Sequence, residues 1–325
     1  MTGKSICCGM VAVLSVAFAV VAAAQTYPAK PIRIVVPYAP GGATDLTARP
    51  IAQKLMETWG QRVLTDNRGG ASGMIGADLV AKSPPDGHTM LLSASMEMTS
   101  NLAVYSKMPY DALKDFEPVT LASISPLVLM VHPSLPVKSV KELIALARAK
   151  PGALSYASIG TGTVHHFAGE LMKARLKLDI VHVPYKGGAP ALVALLSGEI
   201  PSGFVALLAA IPNVQVGKLR ALAVTSERRA SALPNVPTLA EAAALPGFDV
   251  VVWFAAWVPA KTPKDIIQKL NAELVRIIQS PEYKQRMIEA GAEAVGSTPE
   301  ELRRLQLADI EKYRKIAITA GMEQQ

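Results

Sequence analysis

Tyr38-Ala39-Pro40-Gly41-Gly42-Ala43-Thr44-Asp45 stands between a β-branched run, Ile32-Arg33-Ile34-Val35-Val36, and a segment in which Leu46, Ile51, Leu55, Met56 and Trp59 recur at near-helical spacing. A strand that passes through a glycine pair into a helix start leaves unpaired backbone N–H groups at the carboxyl end of a sheet. The helix dipole there also favours an anion. Holding a carboxylate is the chemistry this implies. One such loop is equally consistent with Gly41-Gly42 merely turning the chain, but the pattern recurs. Ser158-Ile159-Gly160-Thr161-Gly162-Thr163 and Tyr185-Lys186-Gly187-Gly188-Ala189-Pro190 each follow a strand-like run and lead into a helix-like one.

Working outward, the spacing predicts strands over 62–65 and 89–93 and a helix over 72–82 opened by Gly69-Gly70. Thr44 or Asp45 is suited to cap the first helix, in which Pro50 predicts a kink or a later start. Ser93 and Ser95 fall at a strand's carboxyl end, where sites on parallel sheets lie, and read equally as turn serines. Residues 96–116 read as loop and short helix. After a long apolar run at 118–131 the alternation resumes: helix 139–150 capped by Ser139, strand 154–158, helix 163–176, strand 180–183, helix 189–197, and strands 204–208 and 219–224. A second apolar run at 248–258 is followed by helix only, over 263–278, 281–290 and 299–320, the last opened by Thr298 with Glu301 three residues on. The expected class is α/β with two domains, one from residues 25–124 plus 251–325 and the other, 125–250, inserted. The two apolar runs cross between them as a hinge, the plan of a protein that closes on a ligand in a cleft.

The first residues read as an export signal. Lys4 precedes an apolar stretch over 6–21, and Ala22-Ala23-Ala24 before Gln25 suits signal peptidase, so 1–24 is expected to be removed and the mature chain to be periplasmic. The stretch is short for a membrane anchor and is followed by polar residues. Cys7 and Cys8 lie close to the charged start, unlike a lipoprotein site, and they are the chain's 2 cysteines. The mature protein would therefore carry no thiol. Removing Lys4 takes the net charge from +7 to +6, a field that serves solubility and attracts small anions. The basic residues are spread over helix faces and aromatics make up 5%, so no nucleic-acid partner is expected.

Chemical signatures are missing. Gly160-Thr161-Gly162 lacks the third glycine of the dinucleotide pattern, and no phosphate-loop Gly-Lys-Ser/Thr is present. His165 and His166, adjacent in sequence, point to different helix faces, so with His182 they predict no metal site but one ring lining the cleft. Gly70-Ala71-Ser72-Gly73 breaks the spacing of a hydrolase elbow. Asp45 could act as a base, though a capping role is the stronger reading. No cofactor is expected, and an enzyme on the same plan is the minor alternative.

Several stretches together resemble one family: Pro31-Ile32-Arg33-Ile34-Val35-Val36-Pro37 into Ala39-Pro40-Gly41-Gly42 and Thr44-Asp45, Asn67-Arg68, Pro85-Asp86-Gly87, Tyr156-Ala157-Ser158, His182-Val183-Pro184-Tyr185-Lys186-Gly187, and Gly217-Lys218-Leu219-Arg220-Ala221-Leu222-Ala223-Val224-Thr225. In order along nearly the whole mature chain, they resemble the Bug family of extracytoplasmic substrate-binding proteins, the receptors of tripartite tricarboxylate transporters. The resemblance implies a type II periplasmic-binding fold, a small carboxylated ligand, membrane transporter subunits as partners and no catalysis. It leaves open a sensor kinase as partner, and a monomer is expected. It further implies ligand contacts from Gly41, Gly42, Thr44 and Asp45, from Ser93 and Ser95, and from Thr161, Gly162, Thr163 and the motif histidine His166. Tyr38, Ser158 and Tyr185 would form the cleft wall. Pro201-Ser202-Gly203-Phe204-Val205 departs from the family's acidic pattern, which implies a ligand without an amino group.

Overall fold

The computed structural model describes residues 27–324; the export signal expected over 1–24 lies outside the described residues. The first unit is β1 (Ile32–Val36), α1 (Ala43–Trp59), β2 (Val63–Asn67), a 3-10 turn (Ala71–Gly73) leading into α2 (Met74–Ala81), β3 (Thr89–Ala94), a second 3-10 turn (Met96–Met98) and α3 (Asn101–Val104). β1 pairs in parallel with β2 and β3. The apolar run that follows is one 16-residue strand, β4 (Phe116–Val131).

The middle of the chain gives α4 (Val140–Ala149), β5 (Ser155–Ser158), α5 (Val164–Leu176), β6 (Val181–Pro184), α6 (Gly188–Ser197), β7 (Ser202–Ala206), α7 (Leu207–Gln215), β8 (Arg220–Val224) and α8 (Leu239–Ala243). β5 pairs in parallel with β6 and β7. The chain returns through β9 (Val251–Pro259) and ends with α9 (Lys264–Ile278), α10 (Pro281–Glu289), β10 (Glu293–Ala294) and α11 (Pro299–Thr319). Leu270, Leu274, Ile277 and Ile278 recur at one-turn spacing on α9 and are buried, which makes that face the one laid on the sheet. Thr298 and Glu301 form the expected reciprocal cap at the start of α11.

The described strands form one sheet in the order β2-β1-β3-β9-β4-β7-β5-β6, with β8 and β10 also on β4. The first part of β4 pairs with β9 from Phe116 to Pro126, and the last, Leu127–Val131, pairs with β7. Two α/β lobes thus share a strand. Because β1, β5 and β6 run parallel to their neighbours, the loops that leave their carboxyl ends can meet between the lobes.

Four local readings are corrected. α1 begins at Ala43 with Gly42 as its N-cap and runs through Pro50 without a later start; burial of Ala48, Ile51, Ala52 and Leu55 supports the turn from which proline removes a hydrogen bond. The helix read over 72–82 is broken at Gly73, which is left-handed. β7 stops at Ala206, and α7 occupies 207–215, where no helix was expected; Leu207 to Ile211 are all buried, so the segment shows no polar face to give it a period. β10, two residues long, follows α10 and pairs antiparallel with β4.

Candidate functional site

The loop after β1 is shaped by Asp45. Its carboxylate is 2% exposed and accepts from Gly41 N at 2.9 Å, Arg49 Nε at 2.7 Å and Asn67 Nδ2 at 3.0 Å. Burial alone would raise its pKa, but Arg49, the Gly41 N–H and Asn67 more than offset that and hold it below the usual carboxylate range. Asp45 is thereby committed to the loop, neither a base nor the cap. Gly42 has no side chain with which to cap α1, and the first intrahelical bond is Leu46 N to Gly42 O at 3.0 Å. The N–H groups of Ala43 and Thr44 precede that bond and point out of the helix start.

A second uncapped helix start meets it. α6 begins at Gly188 after Gly187, again with no side-chain cap. A β-carbon at Gly188 would sit 3.8 Å from Gly42 Cα, so the two termini, one from each lobe, are in contact. The third glycine loop behaves otherwise. Thr163 caps α5 by accepting from His166 N at 3.4 Å, and Gly162 N donates to His166 Nδ1 at 3.3 Å. Its carbonyls are bound across the cleft: Thr161 O accepts from Ser72 Oγ at 2.7 Å and Tyr105 OH at 3.1 Å, and Gly162 O from Ser100 Oγ at 2.7 Å. A β-carbon at Gly160 would lie 2.8 Å from Ser72 Oγ, so a glycine is what lets the lobes close this far.

Two adjoining cavities lie where the helix starts and glycine loops of the lobes meet. The inner one, about 20 Å³, is lined by Gly42, Thr44, Gly188 and His165 and by apolar side chains including Val205 and Phe254; it has room for little more than one water. The outer one, about 210 Å³, is lined by Ser72, Tyr105, Thr161, Tyr185 and Lys186. Tyr38 and Ile159 line both.

Of the residues predicted to contact a ligand, Tyr38, Gly42 and Thr44 line the inner cavity, and Thr161 and Tyr185 the outer; the Tyr185 hydroxyl itself donates to Glu199 Oε1 at 2.8 Å. Gly41 serves the Asp45 loop, and Gly162 and Thr163 serve the latch and the α5 cap. Ser93 and Ser95 are fully buried, their Oγ atoms have no hydrogen-bond partner, and neither lines either cavity. Ala94 lines the inner cavity, so strand alternation turns Ser93 to the other face. Ser158 Oγ bonds both the N–H and the carbonyl of Gly160 at 3.1 Å and shares a 2.6 Å hydrogen bond with His182 Nε2. Fully buried, it fixes the loop. Sequence reasoning missed Ala209, Val252 and Phe254 as wall residues, because nothing in an unbroken apolar run marks which face meets a cleft.

The histidines divide their roles. His166 stacks on His182 with ring centres 4.0 Å apart, and His182 on Tyr156 at 5.0 Å. Glu170, one turn along from His166, takes the Tyr156 hydroxyl at 2.7 Å and Lys173 at 2.9 Å. The cleft-lining ring is His165, 2% exposed with no partner at Nδ1. Burial is the leading cause that lowers the pKa of His165 to about 3, His166 to about 4 and His182 to about 3. A histidine depressed in the fold contributes stability that is present above its ordinary pKa of 6.5 and lost as pH falls toward the folded value. Comparing urea unfolding of the wild type and His165→Gln between pH 7 and pH 4, the wild type is expected to lose about 2–3 kcal/mol relative to the variant. Parallel profiles would show that His165 charges freely in the fold.

Two α/β lobes hinged on shared strands, with helix starts facing each other across a cleft, define a cleft-binding solute receptor. Residues 47–322 match the family described as Tripartite tricarboxylate transporter family receptor. The chain is 38% identical to protein BugT of Bordetella pertussis over 92% of this chain and 91% of BugT. It is also similar to the R. palustris protein Rpa4515, solved with adipate, at TM-score 0.90 and 38% identity over 92% of this chain and 100% of that one. MatC from Rhodopseudomonas palustris, solved with bound malate, matches at TM-score 0.85 and 32% identity over 89% and 99%. The chain belongs to the Bug family of tripartite tricarboxylate transporter receptors.

Proposed function

We propose that this protein is a periplasmic receptor that closes on a small carboxylated solute and delivers it to the membrane subunits of a tripartite tricarboxylate-type transporter. The observation that carries this reading is the contact between two uncapped helix starts, Gly42-Ala43-Thr44 and Gly188, at an enclosed cavity. Backbone N–H groups at two such starts offer converging donors to an anion without burying a cation. The adipate and malate of the two related structures are carboxylates, which supports the class. Opening would part residues 25–124 and 251–325 from 125–250, release the bonds to Thr161 and Gly162, and enlarge the inner cavity to admit the solute. The removal of residues 1–24 on export belongs to the same proposal.

Thermal unfolding of the refolded, ligand-stripped protein tests it. A cognate carboxylate at a hundred times its dissociation constant is expected to add about 2.7 kcal/mol, and the corresponding amide nothing. Equal shifts with acid and amide would sink the reading.

A further inference from the structure

The turn between β2 and α2 runs through four successive residues at positive φ: Gly70 at 126°, Ala71 at 47°, Ser72 at 50° and Gly73 at 88°. Ala71 and Ser72 carry side chains, so both bear the clash of β-carbon against backbone that glycine escapes. Such strain persists only where surrounding contacts impose it. Here those contacts come from the turn's own lobe. Ser72 O accepts from Asn101 Nδ2 at 3.1 Å and from the Tyr38 hydroxyl at 3.3 Å, and Gly73 N donates to Gly70 O at 3.1 Å. Gly73 lies so close to Glu97 that a β-carbon there would overlap the carboxyl.

What the strained backbone achieves is an aim. With its carbonyl held inside one lobe, Ser72 sends its hydroxyl across the cleft, where Oγ donates to Thr161 O at 2.7 Å and lies 3.4 Å from the Tyr105 hydroxyl. Tyr105 donates to the same carbonyl at 3.1 Å, and the fully buried Ser100 Oγ donates to Gly162 O at 2.7 Å. The receiving loop is matched to this: Gly160, at φ 139°, leaves the space that the Ser72 hydroxyl fills. Ser72 lines the outer cavity, but its one hydroxyl proton is committed to Thr161 and not to a guest. Each donor belongs to one lobe and each acceptor to the other, so the set is complete in the protein alone. Every such bond favours the closed form modestly, and groups already aimed lose little freedom in making it.

We propose that Ser72, Ser100 and Tyr105 form a latch that draws the lobes together without solute, and that the left-handed turn at 70–73 serves to aim its central hydroxyl. Ser72 is then a positioning residue for closure, acting on the balance between open and closed lobes and not on the solute. This rests on the hinge-closing part of the receptor reading above.

Pulsed electron spin resonance on the refolded, solute-free exported chain tests this, with spin labels on Lys82→Cys of α2 and Lys141→Cys of α4, both exposed positions, one on each lobe. The otherwise unchanged protein is expected to show the shorter of two inter-lobe distances as its main population. Ser72→Ala, which loses the hydroxyl and keeps the strain, is expected to lower the closed-to-open ratio roughly fivefold, and Ser72→Ala with Ser100→Ala roughly twenty-fivefold. Ser72→Gly, which loses both hydroxyl and strain, is expected to open as far as Ser72→Ala yet unfold at a higher temperature. That split separates the aim from a merely structural role. An unchanged protein at the longer distance alone, populations unmoved by the serine variants, or a Ser72→Gly no more stable than Ser72→Ala would overturn the inference and leave the receptor reading intact. Gly160→Ala is the control for the motion itself, because its β-carbon would lie 2.8 Å from Ser72 Oγ and must press the lobes apart. One fixed distance in that variant as well would overturn hinge closure, and the inference with it.

Discussion

Replacement of Trp253 by alanine is expected to destabilise the protein by about 4 kcal/mol or more. The side chain is 1% exposed in the middle of β9, and its Nε1 donates to Asp309 Oδ2 at 2.7 Å on α11. Truncation leaves a large cavity beside Trp257, whose ring centre is 6.4 Å away, and strips Asp309 of its buried donor. Burial already raises the Asp309 pKa, with the Trp253 hydrogen bond and Lys312 opposing, so the orphaned carboxyl would be driven further toward its neutral form. Trp253→Phe keeps most of the volume and loses the N–H, which predicts a cost of about 1–2 kcal/mol. Urea unfolding of both variants separates the two contributions; an alanine variant within about 1 kcal/mol of wild type would mean the site repacks around the gap. The cost would reach the cleft as well, because Val252 and Phe254, on either side of Trp253, line the inner cavity from the opposite face of the strand.

Glu97→Gln is expected to gain about 2–4 kcal/mol over the wild type between pH 5 and pH 9. Glu97 is fully buried and neither carboxyl oxygen has a hydrogen-bond partner. Burial pushes its pKa up to about 8, against partial lowering by the nearby Tyr38 hydroxyl and by backbone groups. A carboxyl whose folded pKa is raised from 4.5 contributes stability that is complete below pH 4.5 and lost as pH climbs through 8. Glutamine keeps the shape and cannot ionise, so its unfolding midpoint would not share that decline. Superimposable pH profiles would refute the assignment. The carboxyl packs against Gly73, beside Ser72, which donates to Thr161 O across the cleft. Ionisation would therefore press on the segment that holds the lobes shut.

The strand and helix alternation was legible because most elements have one buried face and therefore a period, and because Ser139 and Thr298 announce their helices by capping chemistry. The glycine loops at 41–42 and 187–188 were legible as strand-to-helix turns for the same local reason. What was not legible is orientation across space. Ser93 and Ser95 looked right by position, yet the strand period turns Ala94 to the cavity. Resemblance pointed to His166, but the helix carries His165 to the wall and leaves His166 stacked on His182. α7 escaped notice because its first five residues, Leu207 to Ile211, are all apolar and buried and carry no amphipathic signal, and it brings Ala209 to the site.

Much follows from β4 belonging to both lobes. Along its length it pairs first with β9 on one flank and then with β7 on the other, with register irregularities at Pro118/Thr120 and Leu121/Ser123 against β9 and at Leu129/Met130 against β8. A sheet built this way has no seam at which to come apart, since splitting it would bare a row of unpaired backbone groups. The opening proposed above would then be a flexing of one continuous ribbon about its irregular stretches, with a hydrogen-bonded spine, not a slack tether, linking one lobe to the other.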